Sequence, residues 1–153
     1  MTASVNEKAR GKQIVLVEDD ALIAEWVQVR LKAAGYEVDW LQNGQSGLNR
    51  IRRAPPDLVL LDISMPMMDG FAVLRELRYD SKTKTVPVLM MTAQNTRGDV
   101  ERAGQLRANG YITKPFIAQD LIARVGKLIG AQETKDAQGG VSPQDVSSDP
   151  III

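Results

Sequence analysis

Ile14-Val15-Leu16-Val17-Glu18-Asp19-Asp20 runs four apolar residues, three of them β-branched, directly into three acids. An apolar run of that length reads as a strand buried on both faces. The pattern recurs: Leu58-Val59-Leu60-Leu61 ends at Asp62, Val86 to Met91 ends at Thr92, and Tyr111-Ile112 is followed two residues later by Lys114. Pro87 stands at the entry of its strand, where a missing N–H does least harm. Glu37-Val38-Asp39-Trp40-Leu41 alternates instead, as an edge or half-buried strand does.

Helical stripes fill the intervals. Ala21 to Ala34 places Ile23, Val27 and Leu31 at i, i+4 and i+8, with Asp20 as N-cap and Gly35 at the C′ position. Asn43-Gly44 turns the chain into a shorter helix, Gln45 to Arg53, which ends before Pro55-Pro56. A loop from Ile63 to Gly70 precedes a helix from Phe71 to about Arg78, and two more helices are expected at about Gly98 to Ala108 and at Ile117 to Ile129. Five successive βα units predict an α/β fold: a five-stranded parallel sheet with helices on both faces and right-handed crossovers. Five strands favour the flavodoxin-like order 2-1-3-4-5. Residues 1–12 read as a flexible leader, 13–130 as the domain, and 131–153 as a flexible acidic tail rich in Gln, Gly, Ser, Asp and Pro. Its apolar Pro150-Ile151-Ile152-Ile153 is read as an irrelevant or truncated end rather than a docking motif.

The 153 residues, 44% hydrophobic and 25% charged, suit one soluble globular domain. With no Cys and no His, disulfides, thiolate or imidazole metal sites and the usual neutral-pH general base are excluded. Any chemistry must use carboxylates, hydroxyls, Lys or a bound metal. The 19 basic and 19 acidic residues cancel, but unevenly: residues 131–153 carry −3 and the preceding part +3. Neither value is the strongly basic signature of direct nucleic-acid binding. No apolar run approaches the roughly 20 residues of a membrane span, and the first ten residues lack a signal-peptide core, so a cytoplasmic protein is expected.

In an open parallel sheet, ligands sit outside the carboxyl ends of the strands, at the point where strand order reverses. Glu18, Asp19, Asp62, Thr92 and Lys114 all fall at such ends, and the expected order brings strands one, three and four side by side. Singly, each has an ordinary explanation: an acid after a strand is commonly an N-cap, the reading kept for Asp20, and Asp69-Gly70 is a turn signal. Together they form a costly cluster, because two carboxylates about 4 Å apart repel by roughly 4 kcal/mol at an effective dielectric near 20. Lys114 offsets one charge. A hard cation with oxygen ligands offsets more, and Mg²⁺ suits one or two carboxylates with water and phosphate. A carboxylate so placed can take a phosphoryl group without an acid–base residue.

These residues carry a family resemblance. Ile14 to Asp20, Pro56 to Gly70 (with Asp62, Pro66 four later and Gly70 eight later), Met91-Thr92-Ala93 and Tyr111-Ile112-Thr113-Lys114-Pro115-Phe116 resemble the receiver domain of bacterial two-component response regulators, of the single-domain CheY-like kind, over about Lys12 to Ile129. The separations of 43, 30 and 22 residues along Asp19, Asp62, Thr92 and Lys114 fit that family. The resemblance implies that Asp62 is the phosphoacceptor, taking its group from a phospho-His on a histidine kinase or histidine phosphotransfer protein. It implies that Glu18, Asp19, Asp62 and the Ser64 backbone carbonyl hold Mg²⁺, that Thr92 and Lys114 contact phosphoryl oxygens, and that Tyr111 is the aromatic switch. Ser64 and Gln94 match positions that tune dephosphorylation. The face of the fourth helix, fifth strand and fifth helix would then control an unknown downstream protein, the chain being a monomer or weak dimer and no enzyme beyond its own phosphorylation and dephosphorylation.

Two departures stand out. Leu106-Arg107-Ala108-Asn109 replaces the Gly the family often carries before the fifth strand, so Asn109 or Gly110 is expected to make the turn; and Gly104 lies inside the fourth helix, costing about 1 kcal/mol relative to Ala. Two alternatives remain. The chain could be the receiver fragment of a larger DNA-binding regulator or hybrid kinase. It could be a haloacid-dehalogenase-like phosphohydrolase, but that family wants a second Asp two residues after the first, where this chain has Ser64.

Overall fold

The structure is a computed structural model and describes residues 11–93 and 97–130. Ten elements alternate in the order β1 (Gln13–Val17), α1 (Ala21–Ala33), β2 (Glu37–Leu41), α2 (Gly44–Arg53), β3 (Leu58–Asp62), α3 (Gly70–Tyr79), β4 (Val88–Thr92), α4 (Arg97–Gln105), β5 (Gly110–Thr113) and α5 (Ala118–Ile129). The strands form one parallel sheet in the order β2-β1-β3-β4-β5. No described helix is long and apolar enough to cross a membrane.

Side chains of a strand alternate between faces, and that alternation splits the core in two. Val15, Val17, Val59, Leu61, Val88 and Met90 point to the layer of α2, α3 and α4, where they meet Leu48, Ile51, Leu74, Leu77 and Ala103. Ile14, Leu16, Leu58, Leu60, Leu89 and Met91 point to α1 and α5, against Ala24, Val27, Leu31, Leu121 and Val125. Covering both faces is why β1, β3 and β4 are apolar except for one polar end residue each (Gln13, Asp62 and Thr92), while β2 at the edge keeps exposed Glu37 and Asp39.

Caps set the helix starts. Asp20 accepts from the Leu22 and Ile23 amides, Asn43 from Ser46, and Asp69 from Ala72. Gly35 leaves α1 with φ +105°, and the extended Ala54 ends α2 ahead of the prolines, both as expected. Gly44 differs: Asn43 is the cap and Gly44 the first helical residue, at a position where a Cβ would come within 2.6 Å of the Met68 carbonyl oxygen. β4 starts at Val88 rather than Val86, although the Pro87 carbonyl still accepts from Val59.

α4 ends at Gln105, three residues short of the expected Ala108. Arg107, with φ +65°, makes the turn, so neither Asn109 nor Gly110 does. Its N–H donates to the Gly104 carbonyl, and the Ala108 N–H reaches back to Ala103. This is the paired closure that a left-handed residue provides at a helix C-terminus, made here without glycine. Asn109 stays with the sheet: its N–H donates to the Val88 carbonyl (2.8 Å) and its Oδ1 accepts from the Val88 N–H (2.9 Å).

The Arg107 turn is held from below by Arg78 of α3, which is only 9% exposed. Its guanidinium donates twice to the Arg107 carbonyl (3.1 and 2.9 Å), and once each to the carbonyls of Lys84 (3.1 Å) and Val86 (2.8 Å) and to Asn109 Oδ1 (3.0 Å). Burial, and the charge of Arg107 nearby, push the Arg78 pKa below its ordinary value. These five hydrogen bonds to four acceptors are what make a buried guanidinium tolerable. The leader and tail boundaries at 1–12 and 131–153 fall largely outside the described residues.

Candidate functional site

Two strands deliver three acids to one rim because β1 and β3 are neighbours and both end there. Val17 pairs with Leu61, so Glu18 and Asp62 emerge side by side, and Asp19 follows. One carboxylate oxygen from each of Glu18, Asp19 and Asp62 lies within 4.8 Å of the others. Glu18 is fully buried and Asp62 is 3% exposed. Across the rim, Lys114 Nζ donates to Glu18 Oε1 at 2.8 Å and reaches Asp62 Oδ1 at 3.4 Å. Its own N–H donates to the Thr92 carbonyl at 2.8 Å, which fixes the lysine beside the end of β4. The Lys114–Pro115 peptide is cis.

Charge compensation is incomplete. Burial, then the neighbouring Glu18, raise the Asp62 pKa to about 7 against the counter-effect of Lys114, with Asp19 adding a smaller upward push. Burial works against the Lys114 ammonium, but its hydrogen bond to Glu18 and the charges of Asp62 and Glu18 prevail, so its pKa lies above the ordinary value. The donor set is all oxygen and short of positive charge, which is the chemistry of a hard divalent cation site.

The loop after Asp62 is shaped by Gly70, where any Cβ would strike the Asp62 carbonyl oxygen. Without one, Gly70 N–H donates to the Ile63 carbonyl at 2.9 Å and α3 begins against the backbone of Asp62. Ser64 is exposed in this loop, and Met67, at φ +69°, is fully exposed at its tip. Thr92 is fully buried at the end of β4, opposite Thr113. Tyr111 is 5% exposed and packs with Met90 and Ala103; burial, then the charge of Asp99, push its pKa up to about 12. Gln94 lies outside the described residues. The structure thus gathers Glu18, Asp19, Asp62 and Lys114, with Thr92 at the adjoining strand end and Tyr111 one strand further.

Three contributors are absent from the sequence reading. Trp40 of β2 donates its indole N–H to the Glu18 carbonyl at 2.7 Å. Arg102 of α4 lies 4.4 Å from the centre of the Phe71 ring in the first turn of α3, and Asp99 acts on Tyr111. The alternation of β2 marked Trp40 as a half-buried strand residue, but nothing local in the sequence identifies the carbonyl it reaches. On the face of α4, β5 and α5, a cavity of about 640 Å³ is lined by Ala103, Gly104, Tyr111, Arg124 and Lys127 among others.

A family model described as the response regulator receiver domain matches residues 14–126. The chain is 37% identical over 117 residues to the DNA-binding dual master transcriptional regulator RpaA of Synechocystis sp., covering 76% of this chain and 48% of that protein. It is 38% identical over 117 residues to the transcriptional regulatory protein QseB of Haemophilus influenzae, covering 76% and 52%. The chain therefore spans about half the length of these curated relatives. Among solved structures, chemotaxis protein CheY4 of Vibrio cholerae matches with a TM-score of 0.74 at 28% identity, over 77% of this chain and 98% of that one. The receiver domain of sensor histidine kinase PA1611 of Pseudomonas aeruginosa PAO1 matches at 0.73 and 31% identity, over 78% and 98%, and holds a magnesium ion coordinated in its active site cleft. The strand order, the acids at its switch point and the family match agree: this chain belongs to the response regulator receiver domain family, a signalling domain rather than a conventional enzyme.

Proposed function

We propose that Asp62 accepts a phosphoryl group from a phospho-His of a histidine kinase or histidine phosphotransfer protein in the cytoplasm. The observation that carries this reading is the meeting of Glu18, Asp19 and Asp62 with one lysine at the carboxyl edge of the sheet. An Asp62 oxygen forms the new P–O bond as the P–N bond to the donor imidazole breaks. Glu18, Asp19, Asp62 and the Ser64 carbonyl would hold Mg²⁺, and the all-oxygen, charge-deficient site fits it. When bound, the ion supplies positive charge to the phosphoryl oxygens. Thr92 donates its hydroxyl to one of those oxygens and Lys114 pairs with another. Ser64 and Gln94 set the lifetime of the phosphoryl group. The chain thus assists its own phosphorylation and dephosphorylation and turns over no outside substrate.

Three exposed apolar side chains follow strands that end at this rim: Leu22 in the first turn of α1, Met67 in the loop after β3, and Ile117 at the start of α5. They offer the phosphodonor exposed apolar contacts on this side of the sheet. The added charge, about −1.5 to −2, biases Tyr111 and with it the face of α4, β5 and α5 towards a downstream protein. Incubation with acetyl phosphate and Mg²⁺, read by intact mass, tests the reading: wild type gains one phosphoryl group and Asp62→Asn none. Equal uptake by the variant overturns it. The half-length match to two transcriptional regulators, one of them described as DNA-binding, favours a second reading, in which this chain is the receiver of a longer DNA-binding regulator. Sequencing the gene past the codon for Ile153 decides between them.

A further inference from the structure

Glu18 and Asp19 are joined by a single peptide plane, and its orientation sets where the two carboxylates stand relative to each other. That plane lies just beyond Val17, where β1 ends. The Glu18 N–H is tied to the Leu41 carbonyl at 3.2 Å. The Glu18 carbonyl, which belongs to the Glu18–Asp19 plane itself, accepts from Trp40 Nε1 at 2.7 Å. On the far side, the Asp20 N–H donates to Glu18 Oε2 at 3.1 Å while the Asp20 side chain caps α1. The two acids are thus held between an indole on the edge strand and a helix cap.

We infer that Trp40 is a positioning residue for the cation site: its indole N–H locks the Glu18–Asp19 peptide plane so that both carboxylates face Asp62. Trp40 touches neither carboxylate and acts through the backbone. Loss of its bond frees the backbone at Glu18, and a change in ψ of Glu18 that φ of Asp19 does not compensate swings the Asp19 side chain out of the cluster. Partners that orient metal ligands from behind are worth a large share of the affinity, and a single hydrogen bond is worth about three- to tenfold in an equilibrium constant. The ring of Trp40 also packs beside the core cluster of Ile14 and Leu16, a role phenylalanine can fill.

The inference rests on the cation reading given above, and one titration separates the two. Mg²⁺ is added to the full chain while the backbone amide shifts of residues 18–20 are followed by NMR, well below the melting temperature. Trp40→Phe is expected to bind Mg²⁺ about three- to tenfold more weakly than wild type, and Trp26→Phe, which removes the chain's other indole, to bind as wild type does. Trp40→Phe binding within twofold of wild type overturns the role of Trp40 and leaves the cation reading standing. A wild-type chain with no Mg²⁺-dependent shifts overturns both. If Trp40→Phe fails to fold, Trp26→Phe carries the test alone, since Trp40 is then the sole fluorophore of its kind. Its emission is expected to change along the same binding curve, and unchanged emission at saturating Mg²⁺ overturns the inference.

Discussion

Lys114 stands closer to Glu18 than to Asp62: its ammonium is 2.8 Å from the Glu18 carboxylate and 3.4 Å from that of Asp62. Glu18 therefore takes most of the available positive charge, and as a neighbouring anion it also raises the Asp62 pKa to about 7. Glu18→Gln removes the repulsion and releases the lysine towards Asp62, so the Asp62 pKa should fall below 7, while burial, the largest cause of the rise, remains. A carbon-detected titration of the Asp62 carboxyl checks this; a value that stays near 7 contradicts it.

The same shift makes stability pH-dependent in the metal-free protein. The folded pKa of Asp62, about 7, exceeds its ordinary value of 3.8, so the native state binds the proton more tightly than the unfolded chain. The stabilisation is fully present below about pH 4 and is lost as pH rises through about 7. With EDTA present, Asp62→Asn should be more stable than wild type at about pH 8, by roughly 1–3 kcal/mol, and the advantage should shrink towards about pH 5. Urea midpoints at the two pH values give the comparison. A variant less stable than wild type at the higher pH contradicts the account.

Magnesium should reverse that order for the wild type. A ligand present at a hundred times its dissociation constant and bound only to the native state adds about 2.7 kcal/mol. Mg²⁺ should therefore raise the wild-type melting temperature by several degrees and that of Asp62→Asn by much less. Equal shifts in the two proteins would place the ion elsewhere.

Arg107 occupies a left-handed conformation that costs a residue with a Cβ about 1–2 kcal/mol. Because Arg78 is bonded to the Arg107 carbonyl and not to its side chain, Arg107→Gly should keep the clamp and stabilise the fold by about 1 kcal/mol. Gly104 is the reverse case. A Cβ there meets nothing within 4 Å, so Gly104→Ala should add about 0.5–1 kcal/mol. Thermal melts of both variants check the signs.

Arg78→Met leaves five acceptor contacts unmade at a buried position and should cost at least about 3 kcal/mol. The denaturant midpoint measures it.

What the sequence discloses is what depends on neighbours along the chain. Leu58 to Leu61 announces a doubly covered strand because every residue is apolar, and Asp20 announces a helix start because the cap acts two and three residues ahead. The acids at strand ends become a site once the order 2-1-3-4-5 is granted, since that order alone brings Glu18 beside Asp62. Hidden features depend on distant partners. Nothing beside Arg78 in the sequence marks it as buried, because its acceptors lie in two separate loops. The end of α4 is not legible in the sequence because no glycine marks it, and an arginine adopts the turn instead.

The Arg78 clamp has a mechanical meaning for α4. It bolts down the C-terminal end of that helix, while the N-terminal end, at Arg97, lies towards the rim where Asp62 sits and only Ala103 of the whole helix is buried. A rod pinned at one end cannot slide. A force applied at the rim, such as the proposed phosphorylation of Asp62 would exert, would turn α4 like a door on its hinge post, with displacement growing with distance from Arg107.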